Sequence, residues 1–301
     1  MKTESRVGGT NLTDRPNGAP AARIIARGEG WSIREVVCTL GPRDRPFEEQ
    51  RADVSISAVI EGSFQYRCAA GKALLHPGAF LLGDAGTCFE CGHDHGSGDR
   101  CVAFHYHPAL FEEIAAGAAG SPRFRFPIAM LPALRTLASL MVELEATARS
   151  AAPAATDELA MHVAESVLGA VSGFGETAAA TAPRDRRRIG DVLRYIEEHA
   201  EQPLDLAALA QIAFMSKYHF LRTFRRCVGV TPYQFLLGLR LRRAALKLRA
   251  TSLPVSTVAL EAGFGDLSTF NGRFRKIFGA SPNRFRAAVA FATSEGSTEK
   301  E

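Results

Sequence analysis

Hydrophobic and polar positions follow two different periods along the chain. Between Trp31 and Tyr106, apolar residues recur at every second position and short Gly- or Pro-containing turns separate the runs. This alternation is typical of antiparallel strands and predicts a small β-barrel or sandwich. From residue 108 the apolar residues recur at the helical period instead. The pattern therefore predicts an α+β multidomain chain with strands first and helices after them.

The C-terminal part contains the same pattern twice. Six positions recur fifty residues later without a gap, namely Phe214, Phe220, Phe224, Gly229, Pro232 and Phe235, which return as Phe264, Phe270, Phe274, Gly279, Pro282 and Phe285. A register this strict predicts two copies of one supersecondary unit. Each copy reads as a short amphipathic helix, a tight turn and a second helix, which is the helix-turn-helix pattern.

Polar residues that can cap helices mark the predicted helix starts. Asp205 and Ser216 precede the two helices of the first copy. Ser256 and Asp266 precede those of the second copy. These residue types accept hydrogen bonds from the free amides of a first helical turn. In both copies a Ser-Pro or Thr-Pro pair then starts a further helix.

Charge is distributed unevenly along the chain. Residues 184–290 hold 19 Lys and Arg against 8 Asp and Glu, a net charge of +11. The remainder holds 17 against 24, a net charge of −7. A strongly basic part joined to an acidic one indicates that the C-terminal part faces a polyanion.

The second helix of the first copy presents an outward face suited to double-stranded DNA. Tyr218, Leu221, Arg222 and Arg225 lie at i, i+3, i+4 and i+7, opposite Phe220. Arg222 can bond the O6 and N7 atoms of guanine, while Tyr218 and Leu221 can pack on thymine methyl groups. The predicted contacts of this unit are Ser216, Lys217, Tyr218, Leu221, Arg222 and Arg225.

The second copy has Gly272 where the first has Arg222. We therefore expect it to hold mainly phosphate groups and to read few bases. Its predicted contacts are Ser268, Thr269, Arg273, Arg275 and Lys276.

The segment ALEAGFGDLSTFNGRFRKIFGASPNRFR, with the preceding copy, resembles the AraC-type DNA-binding domain over about Arg188–Arg286. The resemblance implies promoter binding, recruitment of RNA polymerase and a homodimer that responds to an unknown small-molecule effector. It places base contacts at Tyr218, Leu221, Arg222, Ser268 and Thr269. Gly272 departs from the family, which usually has a bulkier residue there. The N-terminal half resembles, more weakly, the cupin-like sensing domain that often precedes this module.

These patterns divide the chain into six segments. We predict a disordered leader at 1–23, a cupin-like sensing domain at 24–107, a helical dimerisation region at 108–174, a linker at 175–187, a DNA-binding domain at 188–290 and a disordered tail at 291–301. No run of eighteen apolar residues and no secretory signal is present, so we expect a cytoplasmic protein without a membrane segment.

A cluster of cysteines and histidines near the end of the strand region predicts a zinc site. The favoured ligands are Cys88, Cys91, His95 and Cys101, with His93 as a substitute for His95. A Cys-x-x-Cys pair on a turn can span one edge of a zinc tetrahedron. Two alternatives stay open, namely idle thiols beside a polar loop and redox sensing by Cys88 and Cys91. No other cofactor is indicated.

The sequence favours a DNA-binding regulator controlled by a small-molecule, metal or thiol signal. The alternative is a cupin-type metalloenzyme fused to a DNA-binding module, motivated by His93-x-His95 and His105-x-His107. Neither pair is followed by a glutamate at the spacing that cupin enzymes use. No Ser/His/Asp set or phosphate-binding loop is evident, so we expect that the chain is not an enzyme.

Overall fold

The computed structural model describes residues 20–93, 98–150, 157–173 and 181–295. Its strands are β1 (Ala21–Gly28), β2 (Trp31–Cys38), β3 (Phe47–Gln50), β4 (Val54–Gly62), β5 (Phe64–Cys68), β6 (Gly71–Leu75), β7 (Phe80–Gly83), β8 (Cys88–Gly92), β9 (Asp99–Tyr106) and β10 (Met130–Leu131). Its helices are α1 (Pro108–Ala119), α2 (Ala138–Arg149), α3 (Asp157–Ser172), α4 (Pro183–Glu198), α5 (Leu206–Ile212), α6 (Lys217–Val228), α7 (Pro232–Ala250), α8 (Val255–Glu261), α9 (Leu267–Phe278) and α10 (Pro282–Glu295). The predicted order of strands followed by helices is confirmed.

The strands form two antiparallel sheets. The larger sheet has the order β1-β2-β9-β4-β7-β10, and the smaller has the order β3-β8-β5-β6. β9 is central in the larger sheet because it pairs with β2 on one side and β4 on the other. Since β1 begins at Ala21, the strand region starts inside the predicted leader, whose residues 1–19 lie outside the described residues.

The larger sheet is covered on both faces. One face packs on the smaller sheet, where Val59 contacts the cluster around Phe64. The other face, which includes Phe104, packs on α1, α2 and α3. Ser55 and Ser57 of β4 are buried as well as their apolar neighbours. A strand between two layers has no solvent side, so β4 departs from the half-buried alternation that its sequence indicates.

The predicted helical region at 108–174 is interrupted. Between α1 and α2 the chain forms β10 and the 3₁₀ turn Arg135–Leu137, so residues 120–137 contain no α-helix. The apolar stripe of α3, which includes Val163 and Val167, is buried within the protomer. A dimer formed by this region would therefore have to use the outer faces of its helices.

The C-terminal part is all-α and contains two cores. Phe220 and Phe224 lie in the first core with α4 and α5, and Phe270 and Phe274 lie in the second with α8. α7 connects them, since its N-terminal half contributes to the first core and its C-terminal half to the second. α4 begins at Pro183, so the last five residues of the predicted linker are helical. α10 continues through residue 295, so the first part of the predicted tail is also helical.

The two copies match less regularly than the fifty-residue register predicts. In the first turn the amides of Phe214 and Met215 bond the carbonyls of residues 211 and 210. In the second turn Gly263 and Phe264 make the equivalent bonds to residues 260 and 259. Equivalent residues of the two copies are therefore 49 positions apart up to Met215 and Phe264. Gly265 is an added residue in the second turn, and it restores the separation to fifty. The pairing of Phe214 with Phe264 is wrong as a structural equivalence.

The exposures of these residues agree with the corrected register. Phe214 adopts a left-handed φ of 52° and is 79% exposed. Phe264 is buried, and its ring centroid lies 5.0 Å from that of Phe270. The same shift makes Pro254 the N-cap of α8, so the prediction that Ser256 caps this helix is wrong. Asp205, Ser216 and Asp266 cap their helices as predicted.

The strand and C-terminal parts are in direct contact. His76 is fully buried, and its Nε2 atom lies 3.1 Å from the carbonyl oxygen of Val228 at the end of α6. Arg242 of α7 donates to the carbonyl oxygen of Ile60 at 2.9 Å and lies 3.5 Å from the carboxylate of Glu145. In the described part of the chain, no helix is both long and apolar enough to cross a membrane.

Candidate nucleic-acid interface

α6 is fixed at both ends and along its inner face. The Ser216 hydroxyl accepts a hydrogen bond from the amide of His219 at 3.3 Å, which caps the helix. Gly229 ends the helix with a φ of 83°, a left-handed conformation that favours glycine. Phe220 and Phe224 are completely buried on the inner face. The orientation of the outer face therefore follows from local capping and core packing.

The outer face of α6 is open to solvent. Tyr218 is 77% exposed and Leu221 is 38% exposed, although both are large and apolar in part. Arg222 and Arg225 are exposed beside them. Large apolar groups left in water typically mark a surface that binds a partner. All six residues predicted to contact DNA from this unit are exposed, at positions 216–218, 221, 222 and 225.

α9 presents the equivalent face in the second unit. The carboxylate of Asp266 accepts a hydrogen bond from the amide of Thr269 at 2.7 Å, and hydrogen bonding of this kind lowers the pKa of that carboxyl. Gly272 leaves the middle of the face without a side chain, and a Cβ built there has no described neighbour within 4 Å. The five predicted contacts are exposed, namely Ser268, Thr269, Arg273, Arg275 and Lys276.

The basic side chains on these two faces are not neutralised by neighbouring acids. Among the described residues, salt bridges of the C-terminal part involve other side chains, such as Arg226 with Asp185 and Arg243 with Glu201. None of them includes Arg222, Arg225 or the basic residues of α9. Unpaired cations at the surface attract phosphate without first breaking an ion pair.

α7 sets the separation of the two units. It has 19 residues, which corresponds to about 28 Å. Successive turns of a DNA major groove on one side of the duplex are about 34 Å apart. Arg240 of α7 holds the helix against the loop between α4 and α5. It donates to the carbonyl oxygens of Ala200 at 2.5 Å and Gln202 at 2.7 Å. The length of α7 is therefore close to the spacing of neighbouring turns of the major groove.

The outer face of α6 lines a cleft of about 1840 Å³. Tyr218, Leu221 and Arg222 form one wall, and β6 with residues 127–130 contributes to the other. Leu74 of β6 is buried in the core of the first helix-turn-helix unit. The strand part therefore faces, across this cleft, the surface of α6 that carries the predicted base contacts.

The residues of the predicted zinc quartet are only partly brought together, since Cys91 and Cys101 share one buried cluster and Cys88 lies outside it. Cys88 is exposed and Cys91 is buried, and both lie on β8 rather than on a turn. Residues three apart on a strand point to opposite faces, so the prediction of a Cys-x-x-Cys turn is wrong. Cys101 is buried on β9, and His95 lies outside the described residues. Burial raises the pKa of the Cys91 thiol, which disfavours the thiolate that redox sensing requires.

His105 and His107, beyond this segment, lie in different environments. Burial lowers the pKa of His105 to about 4. His107 is exposed and caps α1, where its Nδ1 atom accepts a hydrogen bond from the amide of Ala109 at 3.4 Å. The His105-x-His107 pair therefore supplies no common metal-facing surface.

Sequence reasoning missed Cys38 and Asp99, which lie beside His93. The ring of His93 approaches Asp99 through Nε2 at 2.5 Å and the Cys38 sulfur through Nδ1 at 4.0 Å. Burial lowers the pKa of His93, but the bonds to Asp99 and Cys38 outweigh burial and raise it to about 9. The three residues meet only through sheet pairing, and no local sequence signal joins Cys38 to the other two.

The chain resembles known regulatory proteins over about a third of its length. A family model described as a helix-turn-helix domain matches residues 209–288. Regulatory protein SoxS of Escherichia coli is 33% identical over 98 residues, which cover 33% of this chain and 92% of SoxS. The arabinose operon regulatory protein of Salmonella typhimurium is 35% identical over 101 residues, covering 33% of this chain and 36% of that protein. The chain thus spans about a third of the latter protein.

A solved structure matches over a similar length of the chain. The DNA-binding domain of AdpA, crystallised in complex with a target DNA, is 34% identical and covers 34% of this chain and 91% of that chain, with a TM-score of 0.33. Two helix-turn-helix units with exposed, unpaired basic faces define a DNA-binding transcription regulator. The chain belongs to the AraC family of these regulators.

Proposed function

We propose that the chain regulates transcription by binding promoter DNA, with α6 as the base-reading helix and α9 mainly as a phosphate-binding helix. The observation that carries this proposal is the outer face of α6, where exposed Tyr218 and Leu221 flank the unpaired Arg222. The corresponding face of α9 is basic, but Gly272 removes its central side chain. This asymmetry predicts one strongly specified half-site and one weakly specified half-site in each bound sequence.

Selection of genomic fragments by the purified protein, followed by footprinting, tests the proposal. Arg222→Ala is expected to weaken binding by about 1–3 kcal/mol and to relax base preference in one half-site, because a bidentate arginine–guanine contact has that magnitude. Arg249→Ala is the matched control, since Arg249 is exposed at the end of α7 and away from α6. Salt-sensitive binding without a preferred sequence would contradict the proposal.

The strand part is proposed to control this binding in response to a small-molecule effector, a metal or a thiol signal. Support comes from the cleft in front of α6, whose opposite wall belongs to the strand part. A recognition helix must enter a major groove about 12 Å wide, flanked by both phosphate backbones. Insertion of α6 therefore requires the strand part to move away from it.

Loosening this contact is expected to raise DNA affinity. Leu74→Glu places a charge in the apolar core where β6 meets the first helix-turn-helix unit. Ile24→Glu is the control in the strand part, because it also replaces an aliphatic side chain by an acid, but at an exposed position of β1 that does not line the cleft. Fluorescence anisotropy with the selected DNA measures both. An affinity of the Leu74 variant equal to or below that of the control would contradict control by this contact.

The remaining partners follow from the same proposal. We expect a cytoplasmic homodimer that pairs through the outer faces of α1 and α3 and recruits RNA polymerase at the promoter. Sedimentation of the full-length chain checks the dimer, and in vitro transcription on a selected promoter checks the effect on polymerase.

A further inference from the structure

Buried polar groups gather where β2 ends and β9 begins. Cys38 and Asp99 are directly opposite each other in the β2–β9 ladder, so their side chains share one face of the larger sheet. Cys101 follows two residues after Asp99 and points to the same face. His93 reaches this face from the end of β8 in the smaller sheet. Four residues of three metal-binding types therefore meet between the two sheets.

The cluster is closed to solvent. Cys38 and Cys101 are each 5% exposed, and the side chains of His93 and Asp99 are 1% and 6% exposed. The His93 ring also stacks on Phe64 with a centroid distance of 5.7 Å. A Cys–His–Asp arrangement could in principle activate a thiol for catalysis, but a substrate cannot reach a sulfur buried this deeply. A single ion fits the enclosure better than a substrate does.

The distances are close to those of a tetrahedral zinc site. One ligand atom each from Cys38, His93 and Asp99 can be chosen so that all lie within 4.8 Å of one another. In a tetrahedral site with bonds of 2.0–2.3 Å, ligand atoms lie about 3.3–3.8 Å apart. Binding through Nε2 of His93 requires the His93–Asp99 distance to open from 2.5 Å by about 1 Å, and Cys38, now 4.0 Å from Nδ1, to move towards the Nε2 side. The thiol of Cys101 donates to the second oxygen of Asp99 at 3.3 Å, which keeps a fourth donor in reach.

We propose that Cys38, His93, Asp99 and Cys101 form a buried site for a divalent ion of the zinc class. Two thiolates, one imidazole and one carboxylate are a donor set that zinc accepts. The ion takes the position between His93 and Asp99 that a hydrogen bond now occupies. This set shares Cys101 with the quartet that the sequence favours and His93 with the substitute named there, and it leaves the exposed Cys88 without a role in metal binding.

The site adjoins the contact with the C-terminal part. Asp99 pairs with Gly62 in the β4–β9 ladder, and the amide of Gly62 donates to the carboxylate of Glu197 on α4 at 3.2 Å. The backbones are tightly packed here, since a Cβ on Gly62 would lie 2.4 Å from the carbonyl oxygen of Gly98. A shift of Asp99 upon metal binding would be passed to α4. This regulatory role rests on the proposed function, whereas metal binding itself does not.

Zinc binding by the EDTA-treated, anaerobically purified full-length chain tests the site. We expect about one equivalent per chain, with affinity at least about 100-fold lower in Cys38→Ser and Asp99→Asn, because loss of a ligand exceeds the usual cost of altering an outer-shell partner. Cys88→Ser is the matched control and should bind zinc normally. Cobalt binding to the unmodified chain, followed by sulfur-to-metal and tetrahedral absorption bands, gives a readout that does not depend on variants folding.

The possible outcomes distinguish the metal site itself from its proposed role in regulating DNA binding. Less than about half an equivalent of zinc, a cobalt spectrum without sulfur bands, or equal losses in Cys88→Ser and Cys38→Ser would overturn the site. If zinc binds as expected, DNA affinity with and without zinc tests its role as the signal. Unchanged DNA affinity would overturn that role and leave both the site and the DNA-binding function intact.

Discussion

Gly229 and Gly279 end α6 and α9 in the same way, but they differ in their surroundings. Their φ angles are 83° and 72°, and alanine in this left-handed conformation costs about 1 kcal/mol. A Cβ on Gly229 would lie 2.6 Å from the Cβ of Pro132 in the N-terminal part. A Cβ on Gly279 has no described neighbour within 4 Å. The two glycines therefore allow the contact between the two parts to be measured by matched substitutions.

Gly229→Ala is expected to destabilise the chain more than Gly279→Ala. Overpacking of this kind costs about 1–3 kcal/mol, so the free energy of unfolding should fall by about 2–4 kcal/mol in the first variant and by about 1 kcal/mol in the second. The added cost cannot exceed the free energy that holds the two parts together, because separation relieves the clash.

Urea unfolding followed by two probes measures this difference. Trp31 is the single tryptophan and lies in β2, so its fluorescence reports on the strand part. Far-UV circular dichroism reports mainly on the helices. In Gly229→Ala the two transitions should separate, since the parts no longer support each other, whereas in Gly279→Ala the fluorescence transition should stay in place. Equal losses in the two variants would refute the reasoning and show that Pro132 moves aside at no cost.

Three further predictions follow from named contacts. Burial lowers the pKa of His76 from 6.5 to about 4, so the unfolded chain takes up this proton first as the pH falls. The contribution of His76 to the free energy of unfolding should be constant well above pH 6.5 and fall by about 3 kcal/mol towards pH 4, and His76→Gln should lack this part of the loss in urea titrations. Gly272→Arg has open space around it and should add base preference in the weak half-site, and an unchanged selected motif would contradict this. Asp205→Ala should lower the free energy of unfolding by about 1 kcal/mol, because α5 loses its cap, whereas Ser256→Ala should change it little. Thermal unfolding measures both, and equal effects would show that Ser256 does act as a cap.

The predicted outer faces of α6 and α9 agree with the structure because helix periodicity is local. Phe220 and Phe224 must turn inward, and Leu221 and Arg222 between them then turn outward. Their contact with DNA remains a prediction. The predicted zinc quartet relied on closeness in sequence, and it placed Cys88 and Cys91 together although they point to opposite faces of β8.

The amino-acid sequence by itself determined the features that depend on a few neighbouring residues. The caps at Asp205, Ser216 and Asp266, the two helix-turn-helix units and the excess of positive charge all belong to this class. The caps and the helical units are governed by hydrogen bonds within one turn or by side chains three or four residues apart, and the charge excess follows directly from composition.

Only the tertiary structure decided how distant segments meet. Cys38 and Asp99 become neighbours through strand pairing, and the ring of His76 meets Val228 through the contact between the two parts of the chain. The exposed Phe214 and the buried Phe264 occupy the same position of the fifty-residue repeat, but one added glycine in the second turn gives them different environments. Burial and pairing of this kind depend on the whole packed arrangement, because no local pattern specifies which distant segment will cover a given side chain.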